Sequence, residues 1–283
     1  MSMSVKTRFD LKYENKSESS ISVVERYRRT IEQDNYETSL ALVHYRGGVE
    51  EFQLGKTYLN SNDPIDRGVG ADILGQLGWR DKTFLDVSVD LLISALQDKV
   101  DNVVYCACVA LGHRCDAKAI AHVIKFAQSP SKEIRNGVVF ALLGQESSEA
   151  IDVMLLLACD EDVDTRNWAM FGLGTQIEID SPEIRLALLK GTSDEDSEIR
   201  GEALVGLANR KDSSAIELLL NEWKNFEDVS VLSVEAAEII ASPRLYSTLL
   251  ELEKTLDLEE DMFFEFQLQH ALYACKPKML KVV

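Results

Sequence analysis

Arg67, Arg135, Arg166 and Arg200 are the residues of this chain best placed to do repeated chemistry, because each follows a nearby acid and opens the same local pattern. Asp63 precedes Arg67, Asp162 and Asp164 precede Arg166, Asp196 precedes Arg200, and Glu133 is the acid nearest to Arg135. A guanidinium within reach of a carboxylate makes charge-assisted, often bidentate hydrogen bonds. If the turns carrying these residues lie side by side, the acid of one unit meets the arginine of its neighbour and the pairs form a structural ladder. Val104 and Ser233 stand at the arginine position of two further units. The ladder is therefore expected to be interrupted at Val104.

The other reactive residue types offer little. The histidines His44, His113, His122 and His270 contain no i, i+4 pair and no His-Glu dipeptide, the spacings from which helical metal sites are built. Cys106 and Cys108, two residues apart on a helix, project roughly 200° from one another, which suits packing on two sides better than chelation. Together with Cys115, Cys159 and Cys275 they are odd in number and lack the spacing of a disulfide framework, so reduced, buried thiols are expected. No Gly-rich phosphate loop, nucleophile elbow or Ser/His/Asp arrangement occurs. The residues thus point to no catalytic group, no metal and no cofactor.

The elements that must position the arginines are helix pairs. Ile134-Arg135-Asn136-Gly137-Val138-Val139-Phe140-Ala141 recurs as Thr165-Arg166-Asn167-Trp168-Ala169-Met170-Phe171-Gly172 and again as Ile199-Arg200-Gly201-Glu202-Ala203-Leu204-Val205-Gly206. Repetition at this spacing predicts stacked units, each too small to bury its apolar face alone. The small-residue stripe (Ala169, Gly172, Gly174; Ala203, Gly206, Ala208) lets second helices approach closely. The expected organisation is a loose arm over 1–20, capping helices over 21–48, repeats over 49–241 and a degenerate capping repeat over 242–283. The expected fold is an all-α, right-handed α-solenoid. Acids in the turns at 160–164 and 194–198 also offset the dipole of the helices they precede.

This arginine-led second helix, with its acidic turn and Ala/Gly stripe, resembles the HEAT repeat, in the short form named for its occurrence in phycobilisome lyases. The resemblance covers about residues 49–241 and is clearest over 134–210. Similar proteins carrying segments close to Asp164–Phe171 and Arg200–Leu207 include some encoded beside Rhs-type polymorphic toxins, which implies an immunity role. The absence of His-Glu pairs separates this chain from the iron-binding hydroxylases of the same architecture. HEAT-like DNA glycosylases need a basic track for the phosphate backbone, and here the second-helix face is acidic.

In a HEAT unit, the two residues after the arginine and the one three further on face the concave groove. The resemblance therefore assigns Asn136, Gly137 and Phe140; Asn167, Trp168 and Phe171; Gly201, Glu202 and Val205; and Val234, Glu235 and Glu238 to that surface, with Tyr105, Cys106 and Val109 before them. Aromatic residues rimmed by acids have the composition of a partner site. A tight superhelix would instead bury the rings between second helices.

Charge narrows the partner. The chain carries a formal net charge of −18, yet residues 1–48 hold eight Lys/Arg against seven Asp/Glu, so the repeat body is strongly acidic. Such a body repels nucleic acid and attracts cationic surfaces, although acidity also serves solubility. No apolar leader or long apolar run is present, so neither secretion nor membrane spanning is expected and a cytoplasmic location is. The expectation is a non-catalytic protein-binding chain that captures a basic protein, as an immunity protein captures a toxin domain. The alternatives are a chromophore-lyase-like or other HEAT-fold enzyme and a general scaffold without a single ligand.

Overall fold

The computed structural model describes residues 17–33, 39–224, 229–255 and 262–277, and among them there is no strand. The chain forms two compact units, residues 1–142 and 143–283. Most of the expected arm, 1–16, lies outside the described residues, and Ser20 already opens a helix.

The first unit contains α1 (Ser20–Glu32), α2 (Ala41–Arg46), α3 (Val49–Leu59), α4 (Pro64–Gly75), α5 (Leu85–Ala95), α6 (Asp101–Arg114), α7 (Ile120–Val123) and α8 (Lys132–Leu142). Its second helices α4, α6 and α8 pack successively on one another. Val69, Ile73, Leu74, Val103, Leu111, Val138 and Leu142 are buried along that seam, each stabilising the unit by about 1.5–3 kcal/mol relative to exposure. Helix starts are set locally: Asp63 accepts from the Ile65 amide at 2.9 Å, and Pro64 occupies the first turn, where its missing N–H costs nothing. A Cβ on Gly112 would stand 2.4 Å from the Phe140 carbonyl oxygen, so the α6–α8 approach requires glycine there. Likewise α2 is pinned where Gly47 (φ 52) meets Gly78 (φ 76). The Gly78 amide donates to the His44 carbonyl at 2.9 Å, and a Cβ on Gly47 would collide with the Gly78 backbone.

The second unit contains α9 (Ser148–Leu157), α10 (Val163–Phe171), α11 (Pro182–Gly191), α12 (Ser197–Asn209), α13 (Ser214–Glu222), α14 (Val231–Ile240), α15 (Tyr246–Thr255) and α16 (Met262–Cys275). Here α10, α12, α14 and α16 form the packed row of second helices. Ala169, Ala203 and Ala208 are fully buried in it, as the small-residue stripe predicts. A π-helical turn, Gly172–Gln176, extends α10. Arg210 stabilises it by donating to the carbonyls of Leu173, Gly174, Ile177 and Ile179 at 2.8–3.1 Å. In the degenerate unit the arginine position holds Ser233, whose hydroxyl accepts from the buried Trp223 indole N–H at 2.8 Å and donates to the Ser230 carbonyl. A neutral hydrogen-bond relay thus replaces the guanidinium.

Candidate functional site

The arginines occupy one repeated geometry, and it differs from the sequence expectation in the identity of the acid. Arg166 makes a two-point contact with Asp194 of the following repeat, Nε to Oδ2 at 3.0 Å and Nη2 to Oδ1 at 3.2 Å, and its Nη1 donates to the Asp160 and Glu161 carbonyls. Arg67 repeats this with Asp98, at 2.7 and 3.0 Å, and with the Ser61 and Asn62 carbonyls. Arg200 donates to Glu222 at 2.8 Å and to the Asp194 and Glu195 carbonyls, and Arg135 to the Ser129 and Pro130 carbonyls. Each arginine therefore closes its own turn, and Arg67, Arg166 and Arg200 also grip the repeat that follows.

The acids flagged just before the arginines do other work. Asp162 caps α10 through the Thr165 amide, Asp196 caps α12 through the Glu198 and Ile199 amides, and Asp164 is exposed in the first turn of α10. Asp63 caps α4 and pairs with Arg28 of α1. The correction has a simple cause: a carboxylate two or three residues before an amide is already in capping geometry, whereas the guanidinium reaches sideways to the neighbouring turn. The Arg67 guanidinium holds the Asp98 carboxyl below its ordinary range. At Asp194 burial pulls upward, but the hydrogen bonds from Arg166 and the Asp196 amide win and leave it lowered.

The residues assigned to the groove separate by unit. In the first, Tyr105 and Phe140 are half-buried and meet edge to face, with centroids 6.5 Å apart. In the second, Trp168 is 39 % exposed and meets the half-buried Phe171 edge to face at 5.7 Å. Trp168 is thus a surface ring. Val205 is not a groove residue: only 3 % exposed, it belongs to the core with Leu204, Ala208 and Val234. Its position in the repeat is turned inward because the short aliphatic side chain gains more by joining that core than by facing water. Asn136 and Asn167 are half-buried, and one amide atom of each is enclosed without a hydrogen-bond partner among the described residues. Such an atom costs stability, so packing alone does not account for asparagine here.

Glu202 and Glu235 follow Trp168 at the same repeat position on α12 and α14. Both are half-buried. Burial, then the charges of Glu235 and Glu198, push Glu202 up to about 7, and burial, then Glu238, raises Glu235. Glu238 itself accepts from the Gln267 amide at 2.7 Å.

Two groups were not legible in the sequence. Cations reach helix C-termini across repeats: Arg114 to the Leu77 carbonyl at 2.9 Å, Lys82 to the Arg114 carbonyl at 2.8 Å, and Lys211 to the Ile239 carbonyl at 3.2 Å. The second group is Asp72 and His44, brought together beside α1 in the first unit. Of the thiols, Cys108 and Cys275 are buried, with Cys108 pushed up to about 12 by burial. Cys115 and Cys159 are exposed, contrary to the expectation that all are packed away. Among the described residues no three His, Cys, Asp or Glu side chains converge as a metal site, and no helix is long and apolar enough to cross a membrane.

Residues 53–143 and 151–238 match the family model of HEAT repeats. The chain is a HEAT-repeat protein. Among HEAT-repeat relatives, protein YibA of Escherichia coli (strain K12) is 28 % identical over 209 residues, spanning 71 % of this chain and 73 % of YibA. The crystal structure of Escherichia coli YibA superposes with a TM-score of 0.62 at 23 % identity, covering 93 % of this chain and 99 % of that one. An engineered protein reaches a TM-score of 0.50 at 17 % identity, covering 95 % of this chain and 78 % of its own. These likenesses establish the repeat fold. The function rests on the residues.

Proposed function

We propose that this HEAT-repeat chain is a non-catalytic binding protein that captures a basic protein domain through the second-unit face bearing Asn167, Trp168, Phe171, Glu202 and Glu235, as an immunity protein captures a toxin. The observation that carries the reading is the exposed Trp168, braced by Phe171, at the repeat position that Glu202 and Glu235 occupy on the following second helices. An aromatic anchor beside partly desolvated carboxylates combines the two ingredients of a charged-partner interface: a ring that buries area at small entropic cost, and charges that steer encounter. An acidic body adds long-range attraction for a cation-rich partner.

The test is co-expression with the C-terminal domain of a large secreted protein encoded beside this chain, followed by co-purification and calorimetry at low and raised salt. Capture that weakens with salt and is lost in Trp168→Ala supports the reading. A toxic domain that is neither bound nor neutralised overturns the immunity role.

A further inference from the structure

The first unit holds a cavity of about 410 Å³ bordered by Tyr27 of α1, His44 of α2, Asp72 and Gln76 at the end of α4, Trp79, and His113 of α6. Its size is that of a small-ligand site. Among the described residues that line it, Asp72 is the one acid. Its Oδ2 accepts from the Tyr27 hydroxyl at 2.9 Å, and no Lys or Arg is among the described residues that line the space. His44 donates from Nε2, which lies 3.0 Å from the Asp72 carbonyl oxygen, an atom that can only accept. Burial lowers His44 to about 4, so the imidazole adds no positive charge near neutrality, and burial raises Asp72 to about 6 against the pull of Tyr27. The remaining titratable neighbours of Asp72, Tyr105 and Cys106, have their ionisation pushed upward by burial and by Asp72 itself, and so also stay uncharged.

Trp79, which also lines the cavity, has a φ of 46°, a value that bulky side chains rarely adopt. A lone carboxylate, two aromatic rings and uncharged imidazoles select for a cation that brings its own apolar body. The adjoining space, which shares Gln76, Trp79 and His113, is lined by Arg80, Lys82 and Arg114. A second positive charge on the ligand would therefore meet repulsion.

We propose that this cavity binds a small organic monocation, an alkyl- or arylalkylammonium whose charge is received by Asp72 and whose apolar body lies against Trp79 and Tyr27. The site is separate from the partner face of the second unit, and neither reading depends on the other. The probe is phenethylammonium, titrated into the full chain by calorimetry at about pH 8, with uncharged 2-phenylethanol as the size-matched comparison. Saturable binding of the amine is expected, with the alcohol weaker by about tenfold or more. Asp72→Asn should remove that preference while leaving the alcohol unchanged. Val109→Phe, which enlarges a side chain on the cavity wall, should abolish binding of both. Amine and alcohol binding equally to the unaltered chain, or no saturable amine heat up to about 10 mM, overturns the proposal without recourse to any variant. Persistence of the preference in Asp72→Asn overturns it as well.

Discussion

Glu202 gives the partner face a measurable titration. Its folded value, about 7, lies above the ordinary 4.5, so the folded chain holds this proton more tightly than the unfolded chain. The resulting stability is complete below about pH 4.5 and is lost as pH rises through 7. Glu202→Gln should therefore leave urea midpoints unchanged near pH 4.5 and raise stability by about 1–3 kcal/mol at pH 8; identical pH slopes in the two proteins would show that Glu202 is not desolvated. The same substitution should slow association with a basic partner, since a carboxylate that costs stability in the free protein is repaid only when a cation covers it. Trp168→Ala, by contrast, removes a ring that already faces water. Thermal melts should change by less than about 1 kcal/mol while affinity falls by tenfold or more, and extensive unfolding would place the ring in the core instead.

At the scale of the elements, the rungs are polar fastenings between successive repeats within each unit. Arg166 and Asp194 are largely shielded, with side chains 21 % and 16 % exposed, and the guanidinium also closes its own turn. Arg166→Ala should cost about 1.5–3 kcal/mol, the partial exposure holding it below a fully buried pair. A double-mutant cycle with Asp194→Ala should show coupling of about 1 kcal/mol or more, and one with Asp164→Ala should not; the reverse pattern would restore the pairing that sequence proximity suggests. The interruption at Val104 has a counterpart. Ser129 stands where Asp98 and Asp194 stand in their turns, and its hydroxyl accepts from the Ser131 amide at 3.2 Å just as those carboxylates accept from Val100 and Asp196. Where the preceding repeat lacks the arginine, the acid is missing too. Introducing Val104→Arg and Ser129→Asp together should therefore be less destabilising than the sum of the single changes, as measured by denaturant unfolding; strict additivity would mean that no rung forms.

That correspondence also marks what a sequence can disclose. The helix pairs, the arginine position and the small-residue stripe are legible because each is written within about ten consecutive residues, where helical periodicity and capping operate. The acid that receives each guanidinium is not, because its position depends on how one repeat sits beside the next: Asp194 and Asp196 look equally able to receive Arg166 until Asp196 is found capping α12. Val205 was misplaced for a related reason, since a repeat register says which way a backbone position points and not whether the local core claims its side chain. Asp72, His44 and Trp79 were missed because no spacing links residues drawn from α2, α4 and the turn after α4.

At the scale of the whole chain, the net charge of −18 is concentrated beyond residue 48, which suits the proposed recognition of a cationic partner. The two units differ chemically, with an aromatic and acidic face on the second and an enclosed carboxylate in the first. The most direct test of the central claim is the association rate of a co-purifying basic toxin domain, measured by stopped flow at several salt concentrations for the natural chain, for Glu202→Gln with Glu235→Gln, and for Trp168→Ala. The account predicts that the double glutamine variant loses association rate and much of its salt dependence, while Trp168→Ala mainly speeds dissociation. Unchanged kinetics in both variants, with binding intact, would contradict capture through this face.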